Sequence, residues 1–287
     1  RDLHSTSRRQ GLMCIRDRKI LAYRVSILQE LYGIIEQTMP SIKEIGIKSP
    51  QVSTAKDLLL DFAKTFWHYD QITGMSEKKF ISRYLVWAKK KGHRPDVGKA
   101  AAIYAMAKDG IPCLPVDPIV KQSIHTNVET LERVGTTLRD ILSQMSGLAK
   151  TLPEYDIVRA MGGVGDVLVV KLIAVIGDIK RFRKVKSLVA YAGIDPLPYS
   201  SGKFEGNKRR ISKRGSTLLR KIGYEIMKSL TRNKRPEDGA VYDFIRKKEE
   251  EGKAKKQAKI AGLNKFLQIY YARVKSIYKK TTEGKAA

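Results

Sequence analysis

The sequence predicts a mainly α protein, and three observations support that class. Apolar residues recur at spacings of three and four through most of the chain, strand-like stretches are few, and glycine and proline fall between the periodic segments. The expected order is a disordered or non-native leader at 1–18, a helical region at 19–150 ending in a coiled-coil helix, and a second domain at 151–287. That second domain is expected to contain a helix-hairpin-helix.

Residues 1–18 show no periodicity and no initiator Met, so no ordered role is expected of them. From Leu21 the pattern turns helical: Val25, Leu28, Leu31, Ile34 and Ile35 define one apolar face, and Pro40 closes it. Residues 56–69 read as one amphipathic segment, and Ser76 as the N-cap of a helix over 77–90. Phe62, Phe66, Trp67, Tyr84 and Trp87 lie at helical spacing, which favours a core over a platform for stacked bases. His68 and His93 are too far apart, and without partners, to suggest a metal site. A short helix follows over 100–107, closed by Pro112, Pro115 and Pro118.

Residues 124–148 keep a three-four alternation through Val128, Leu131, Val134, Leu138, Ile141, Met145 and Leu148. A bundle helix and a dimerising coiled coil both fit that pattern. Next comes the most informative part of the chain. Gly163 and Gly165 separate a short segment at 157–161 from a strongly apolar one at 167–176. Glycines so placed allow a tight turn and leave the amides of a helix N-terminus open to an anion, phosphate being the usual one. Such a helix-hairpin-helix would grip nucleic-acid backbone without reading bases, while an ordinary inter-helix turn is the plainer alternative. Strands are expected only at 188–191 and 198–199. Residues 216–230, 242–248 and 262–279 read as helices, the first with Leu219, Ile222, Ile226 and Leu230 on one face and the last with Leu263, Phe266, Leu267, Tyr270 and Val274 inward.

A formal net charge of +27 and a pI near 10.0 point to a polyanionic partner and away from a neutral substrate. A membrane surface is disfavoured: there is neither an apolar run of about 18 residues nor the apolar core of a signal peptide. Cys14 and Cys113, far apart and outside any CxxC or Cys/His spacing, argue against a disulfide scaffold and a zinc site. A reducing, cytoplasmic compartment is expected. The cations concentrate in Lys203, Lys208, Arg209, Arg210, Lys213, Arg214 and Arg220, with Glu205 as the only acid between 199 and 215. Ser201 precedes Gly202 at the edge of this run. A hydroxyl beside phosphate-neutralising cations suits phosphoryl transfer, although serine next to glycine is commonly a turn residue.

Six motifs in fixed order mark a resemblance. They are Met161 with Gly162, Gly163, Val164 and Gly165; Ile176 to Asp178 with Arg181 and Phe182; Ala190 through Pro196; Ser201 with Gly202; Ile211 through Ser216; and Leu219 with Arg220. This set resembles the C-terminal domain of the one-ten family of insertion-sequence transposases, relatives of the Piv DNA invertase. The specific motifs cover about residues 152–230, with looser similarity over about 20–278. The resemblance implies that Ser201 is the nucleophile, that DNA is the partner, that a guide RNA is also bound, and that a coiled coil joins copies into a homo-oligomer. It also implies an N-terminal RuvC-like domain whose four acidic residues hold Mg²⁺. Neither its opening Gly-x-Asp strand nor its closing Lys-Thr-Asp-x-x-Asp-Ala element occurs here; Pro95 through Ala100 is only an echo, with Lys99 where the second aspartate should stand. The chain is therefore expected to be a fragment that holds no cofactor itself. A non-catalytic, structure-specific DNA-binding protein is the alternative, and the two readings divide on whether Ser201 is needed.

Overall fold

The computed structural model describes the backbone of residues 2–49, 56–196, 200–201, 204–205 and 210–283, and side chains within 11–49, 56–196 and 210–279. It is mainly α. In chain order the helices are α1 (Asp2–Thr38), α2 (Leu58–Thr65), α3 (Tyr69–Thr73), α4 (Glu77–Lys91), α5 (Val97–Asp109), α6 (Pro118–Lys150), α7 (Tyr155–Arg159) and α8 (Asp166–Ile176). A 3₁₀ turn (Ile179–Arg181) and α9 (Val185–Ala192) precede two short strands, β1 (Ser200–Ser201) and β2 (Phe204–Glu205). Then come α10 (Thr217–Arg232), α11 (Ala240–Glu250) and α12 (Lys255–Glu283). Two compact units emerge, Asp17–Ile141 on one side and Arg1–Arg16 with Leu142–Ala287 on the other. None of these helices is long and apolar enough to cross a membrane, among the described residues.

In the unit at 17–141, α1 places Arg24, Ile27, Leu31, Ile35 and Thr38 on its buried face. Val25, expected on that face, is exposed, because the stripe is centred one residue earlier. The aromatic residues form the core: Phe66 meets Phe80 and Trp87 edge-on at 5.5 and 5.6 Å, and Phe62 meets Trp87 at 5.9 Å. Phe62, Phe66, Trp67, Tyr84 and Trp87 are all buried, so their faces are occupied by one another and not open to bases. The segment at 56–69 is not one helix. Asp57 caps α2 by accepting from the amides of Leu59 and Leu60, the helix stops at Thr65, and His68 starts α3 by accepting from Asp70 N. His68 is itself buried, its Nε2 2.9 Å from the carbonyl of Leu114. His93 does have a partner, Asp61 Oδ2 at 2.9 Å. Ser76 occupies the N-cap of α4 but makes no side-chain cap bond.

The alternation on α6 is buried within the chain. Ile124, Val128, Leu131, Val134 and Leu138 belong to the same core as the aromatic set, which makes this a bundle helix along that part of its length. The helix α1 begins at Asp2, so the residues expected to be an irregular leader are helical here. No proline interrupts them, and Cys14 and Asp17 are buried at a spacing that leads into Arg24 and Ile27.

The second unit is built around α8, which is apolar nearly all round and buries Val169, Val170, Leu172, Ile173, Ala174 and Ile176. Against it packs α10, through Leu219, Ile222, Ile226 and Leu230, and α12 packs in turn on α10 and α9, with Leu263, Phe266, Leu267, Tyr270 and Val274 buried as expected. Residues 188–191 are helical and not a strand. Leu188 and Ala192 lie one turn apart on the buried side of α9, and Gly193 at φ 63° closes the helix in the left-handed conformation.

Glu154, at the N-cap of α7, is 4% exposed and accepts a hydrogen bond from the Tyr278 hydroxyl at 2.6 Å. Burial raises its carboxyl above the ordinary range, against the opposing effect of that hydrogen bond, and Asp178 raises it further. An acid whose folded-state pKa is raised is penalised in its ionised form, so stability falls as pH rises through that raised value. Glu154→Gln keeps an acceptor for Tyr278 without the charge. It should match or exceed the native protein in urea midpoint near neutral pH, with the gap closing as pH falls into the carboxylate range. A gap that widens on acidification would contradict this.

Candidate nucleic-acid interface

The glycine turn between α7 and α8 is shaped by packing. Gly163 has φ 82°, and a Cβ there would lie 2.6 Å from the carbonyl oxygen of Ile226 and 2.8 Å from Leu230 Cβ on α10. A Cβ on Gly162 would meet Leu230 and Pro236 at 3.0 Å. These two positions are glycine because α10 leaves no room for a side chain. Gly165, the N-cap of α8, is different: nothing lies within 4 Å of the Cβ it would carry. The helix N-terminus beyond it also has an anion of its own, since Asp166 sits in the first turn and accepts from Arg159 Nε at 2.6 Å. Arg159 also donates to the carbonyl of Val164 at 2.9 Å, tying the turn together. Gly165 is thus the open part of the turn, and Gly163 its packed part.

Two of the motifs met in the sequence cross each other. Residues 190–196 and 211–216 are joined by a short backbone ladder: Ser216 N to Tyr191 O at 2.6 Å, Lys213 N to Gly193 O at 3.0 Å, and Ser212 N to Asp195 O at 2.8 Å. An isolated bridge pairs Pro196 with Ile211. The approach is so close that a Cβ on Gly215 would lie 2.2 Å from the carbonyl of Tyr191, and one on Gly193 would lie 2.6 Å from Gly215 N. Lys213 holds φ 55°, an unfavourable conformation for a residue with a side chain, fixed by its bond to Gly193. The Ser212 hydroxyl donates to Asp195 Oδ1 at 2.6 Å and fastens the same crossing. Sequence reasoning did not single out Asp195 and Ser212; their presence in two separate motifs was the available signal.

This crossing roots the excursion that holds the candidate nucleophile. The chain leaves at Pro196 and returns at Ile211, and within it Ser200 pairs with Glu205 and Ser201 with Phe204 in antiparallel register. Lys203, Lys208 and Arg209 lie outside the described residues, as does the strand expected at 198–199. Arg210, Lys213 and Arg214 are exposed on the returning segment, whereas Arg220 is turned inward. Its Nη1 lies 3.0 Å from the carbonyl of Ala192 and 3.1 Å from that of Gly215, and its Nη2 is 3.2 Å from Thr217 Oγ1. Arg220 therefore clamps the crossing from α10 with donors expected to meet phosphate. Beside it Arg181 stacks on Tyr191, 4.4 Å from the ring centroid, which explains why that arginine and tyrosine occur together. Among the described residues no group of three or more His, Cys, Asp or Glu side chains is gathered where a metal ion could sit.

Residues 155–243, which include the turn, the crossing and the excursion, match the family model for transposases of the IS116/IS110/IS902 type. That stretch is similar to the transposase domain of this family, and the chain spans 60% or less of the length of three curated relatives. Over 254 residues it is 25% identical to the insertion element IS116 uncharacterized 44.8 kDa protein of Streptomyces clavuligerus, covering 88% of this chain and 60% of that protein. It is 33% identical over 110 residues to the pilin gene-inverting protein of Moraxella lacunata, covering 38% of this chain and 33% of that one. A match at 28% identity over 119 residues to the transposase for insertion sequence element IS1111A of Coxiella burnetii covers 40% of this chain and 32% of the relative.

The two glycines of the turn should respond differently to substitution. Gly163→Ala forces a methyl group against a backbone carbonyl at positive φ and should cost about 1–3 kcal/mol of unfolding free energy. Gly165→Ala meets no atom and should cost about 1 kcal/mol or less, through the weaker N-cap. Urea denaturation of both variants decides the matter; equal losses would mean that the turn is not packed on α10 as described.

Proposed function

We propose that this chain binds DNA backbone through the 210–216 loop and the open side of the 162–165 turn, and supplies Ser201 as the nucleophile of strand cleavage and exchange. The observation that supports it is the excursion between Pro196 and Ile211: it holds Ser201 in a paired strand, and its returning limb leads straight into Arg210, Lys213 and Arg214. In the reaction the Ser201 oxygen attacks phosphorus, its proton leaves to a base, and the bond from phosphorus to one DNA oxygen breaks. That oxygen departs as a strand-terminal hydroxyl after taking up a proton. The phosphoserine ester is then resolved by a hydroxyl of another strand, which returns the proton to Ser201. Cations at the loop offset the charge that develops on the phosphate oxygens.

Serine at neutral pH is a weak nucleophile and needs activation. The acidic residues described here do not form a set that fits Mg²⁺, so no step is assigned to a metal on this chain. A guide RNA is a further polyanion compatible with the net charge of +27. A homo-oligomer through residues 124–148 draws no support from a helix face whose Ile124, Val128, Leu131, Ile141 and Met145 are already buried.

Fluorescence anisotropy with a labelled duplex tests the binding. About five phosphate contacts would give a log–log salt slope near −4 to −5. Neutralising Arg210, Lys213 and Arg214 together should make that slope less negative by about 2–3 and weaken binding alike for unrelated sequences. A native slope close to zero would end this reading. The chemistry is tested with the family's acidic, metal-binding domain supplied. A protein–DNA adduct on a denaturing gel should form with the native chain and vanish with Ser201→Ala, binding being retained. An adduct that survives Ser201→Ala would place the nucleophile elsewhere; cleavage by the chain alone would place an activating group within it.

A further inference from the structure

At its far end α10 borders a groove of about 780 Å³, lined by Glu225, Lys228, Ser229, Arg232, Asn233 and, from α12, Lys259. Its position follows from packing. A Cβ on Gly223 would lie 2.4 Å from Leu263 Cδ1, and one on Gly262 would lie 2.3 Å from Ile245 Cγ1, so these glycines permit a close approach of α10, α11 and α12. Lys228 and Arg232 follow Gly223 along α10, and Lys259 precedes Leu263 along α12, which brings the three cations to one groove.

The electrostatics of that groove are unbalanced. Lys228, Arg232 and Lys259 form no ion pair among the described residues, and Glu225, the one acid in the lining, is paired with none of them. A cation near the C-terminus of a helix is favourable, which accounts for Lys228 and Arg232 on α10. The same field argues against Lys259. The first turns of α12 hold Lys255, Lys256 and Lys259, the first turn has no acid, and a helix N-terminus disfavours cations. Lys259 thus adds positive charge where α12 already presents positive potential, facing two more cations across the groove. An anion seated there would satisfy all three at once, while exposed uncharged side chains would avoid the repulsion altogether.

We infer that this groove is a second site for nucleic-acid phosphate, on a part of α10 removed from the 210–216 loop. The inference rests on the proposed DNA-binding reading and extends it to residues outside the motifs. Lys228 and Arg232 lie 12 and 16 residues beyond Ser216 along α10, about 18–24 Å at about 1.5 Å per residue. One strand covers that distance in about five to seven nucleotides, at about 3.4 Å each. The polar lining has Ser229 and Asn233 to hydrogen-bond phosphate oxygens, and no aromatic ring among its residues to stack a base. Binding here is expected to follow the backbone and not the sequence.

The test compares the native chain with the triple variant Lys228→Gln/Arg232→Gln/Lys259→Gln in the anisotropy titration, with thermal melts of both. The variant should melt as the native chain does, and its log–log salt slope should be less negative by about 2–3, equally for unrelated duplexes. If it melts early, Lys228→Arg/Arg232→Lys/Lys259→Arg, which keeps the charges, must retain the native slope. A folded triple variant with an unchanged slope overturns this site, and if the Arg210/Lys213/Arg214 variant still loses its share, the DNA-binding reading stands without it. A native slope near zero removes both. Inorganic phosphate added at constant ionic strength separates the sources: no displacement of duplex is expected, and displacement that depends on the groove cations would identify a small-anion site instead.

Discussion

The backbone of Gly193 lies against the backbone of Gly215, and much of the second unit follows from that contact. No side chain fits at either position, so two distant segments can share hydrogen bonds from the amides of Ser216, Lys213 and Ser212 to the carbonyls of Tyr191, Gly193 and Asp195. The crossing sets where α9 ends, where α10 begins with Ser216 as its cap, and where the excursion bearing Ser200 and Ser201 leaves and returns. Arg220 locks it by donating to carbonyls on both sides. Removing that arginine would leave carbonyls of Ala192 and Gly215 short of a donor, and unpaired buried polar groups are costly. The exposed cations of the loop are therefore mounted on a rigid base.

Charge is the second organising constraint. An excess of +27 makes the folded chain self-repelling, and the ion pairs that offset it are mostly local and exposed, such as Arg235 with Asp243 and Lys248 with Glu251. Pairs of that kind contribute little to stability. Cations outside them, on the 210–216 loop and along the end of α10, concentrate positive potential on the second unit. A polyanion laid over them would relieve the repulsion and gain counterion entropy at the same time. The chemistry proposed for Ser201 is a separate matter from the proposed binding, because cations stabilise a developing charge without removing a serine proton.

Several features were legible beforehand because each follows from local pattern. The inward faces of α10 and α12 were read correctly from spacing alone: Leu219, Ile222, Ile226 and Leu230 on one, Leu263, Phe266 and Tyr270 on the other. The burial of the aromatic set also followed its helical spacing. Errors arose where a short segment has two solutions. Leu188, Val189 and Tyr191 suit a strand by composition, but in the folded chain α9 packs against α12 and ends on a left-handed glycine, and the helix wins. Residues 56–69 have a continuous amphipathic pattern, yet a histidine cap and a carbonyl from Leu114 break it into two helices. That break depends on a residue 46 positions away, which no local pattern contains.

By itself, the sequence determined the mainly α class, a net charge that favours a polyanionic partner, and the set of motifs that carry the family resemblance. Periodicity, net charge and motif order are properties of the chain before it folds. Only the tertiary structure decided what the described motif residues touch. Gly163 and Gly165 look alike in the sequence, but α10 lies against one and not the other. Arg214 and Arg220 belong to one basic run, but one faces outward and the other holds two backbone carbonyls. The alternation on α6 fits a bundle or a dimer equally, and burial against residues far away in sequence settles it for Ile124 through Leu138. The physical reason is the same in each case. A side chain's donors, volume and charge are set by its type, while its role depends on which atoms the rest of the chain brings to it.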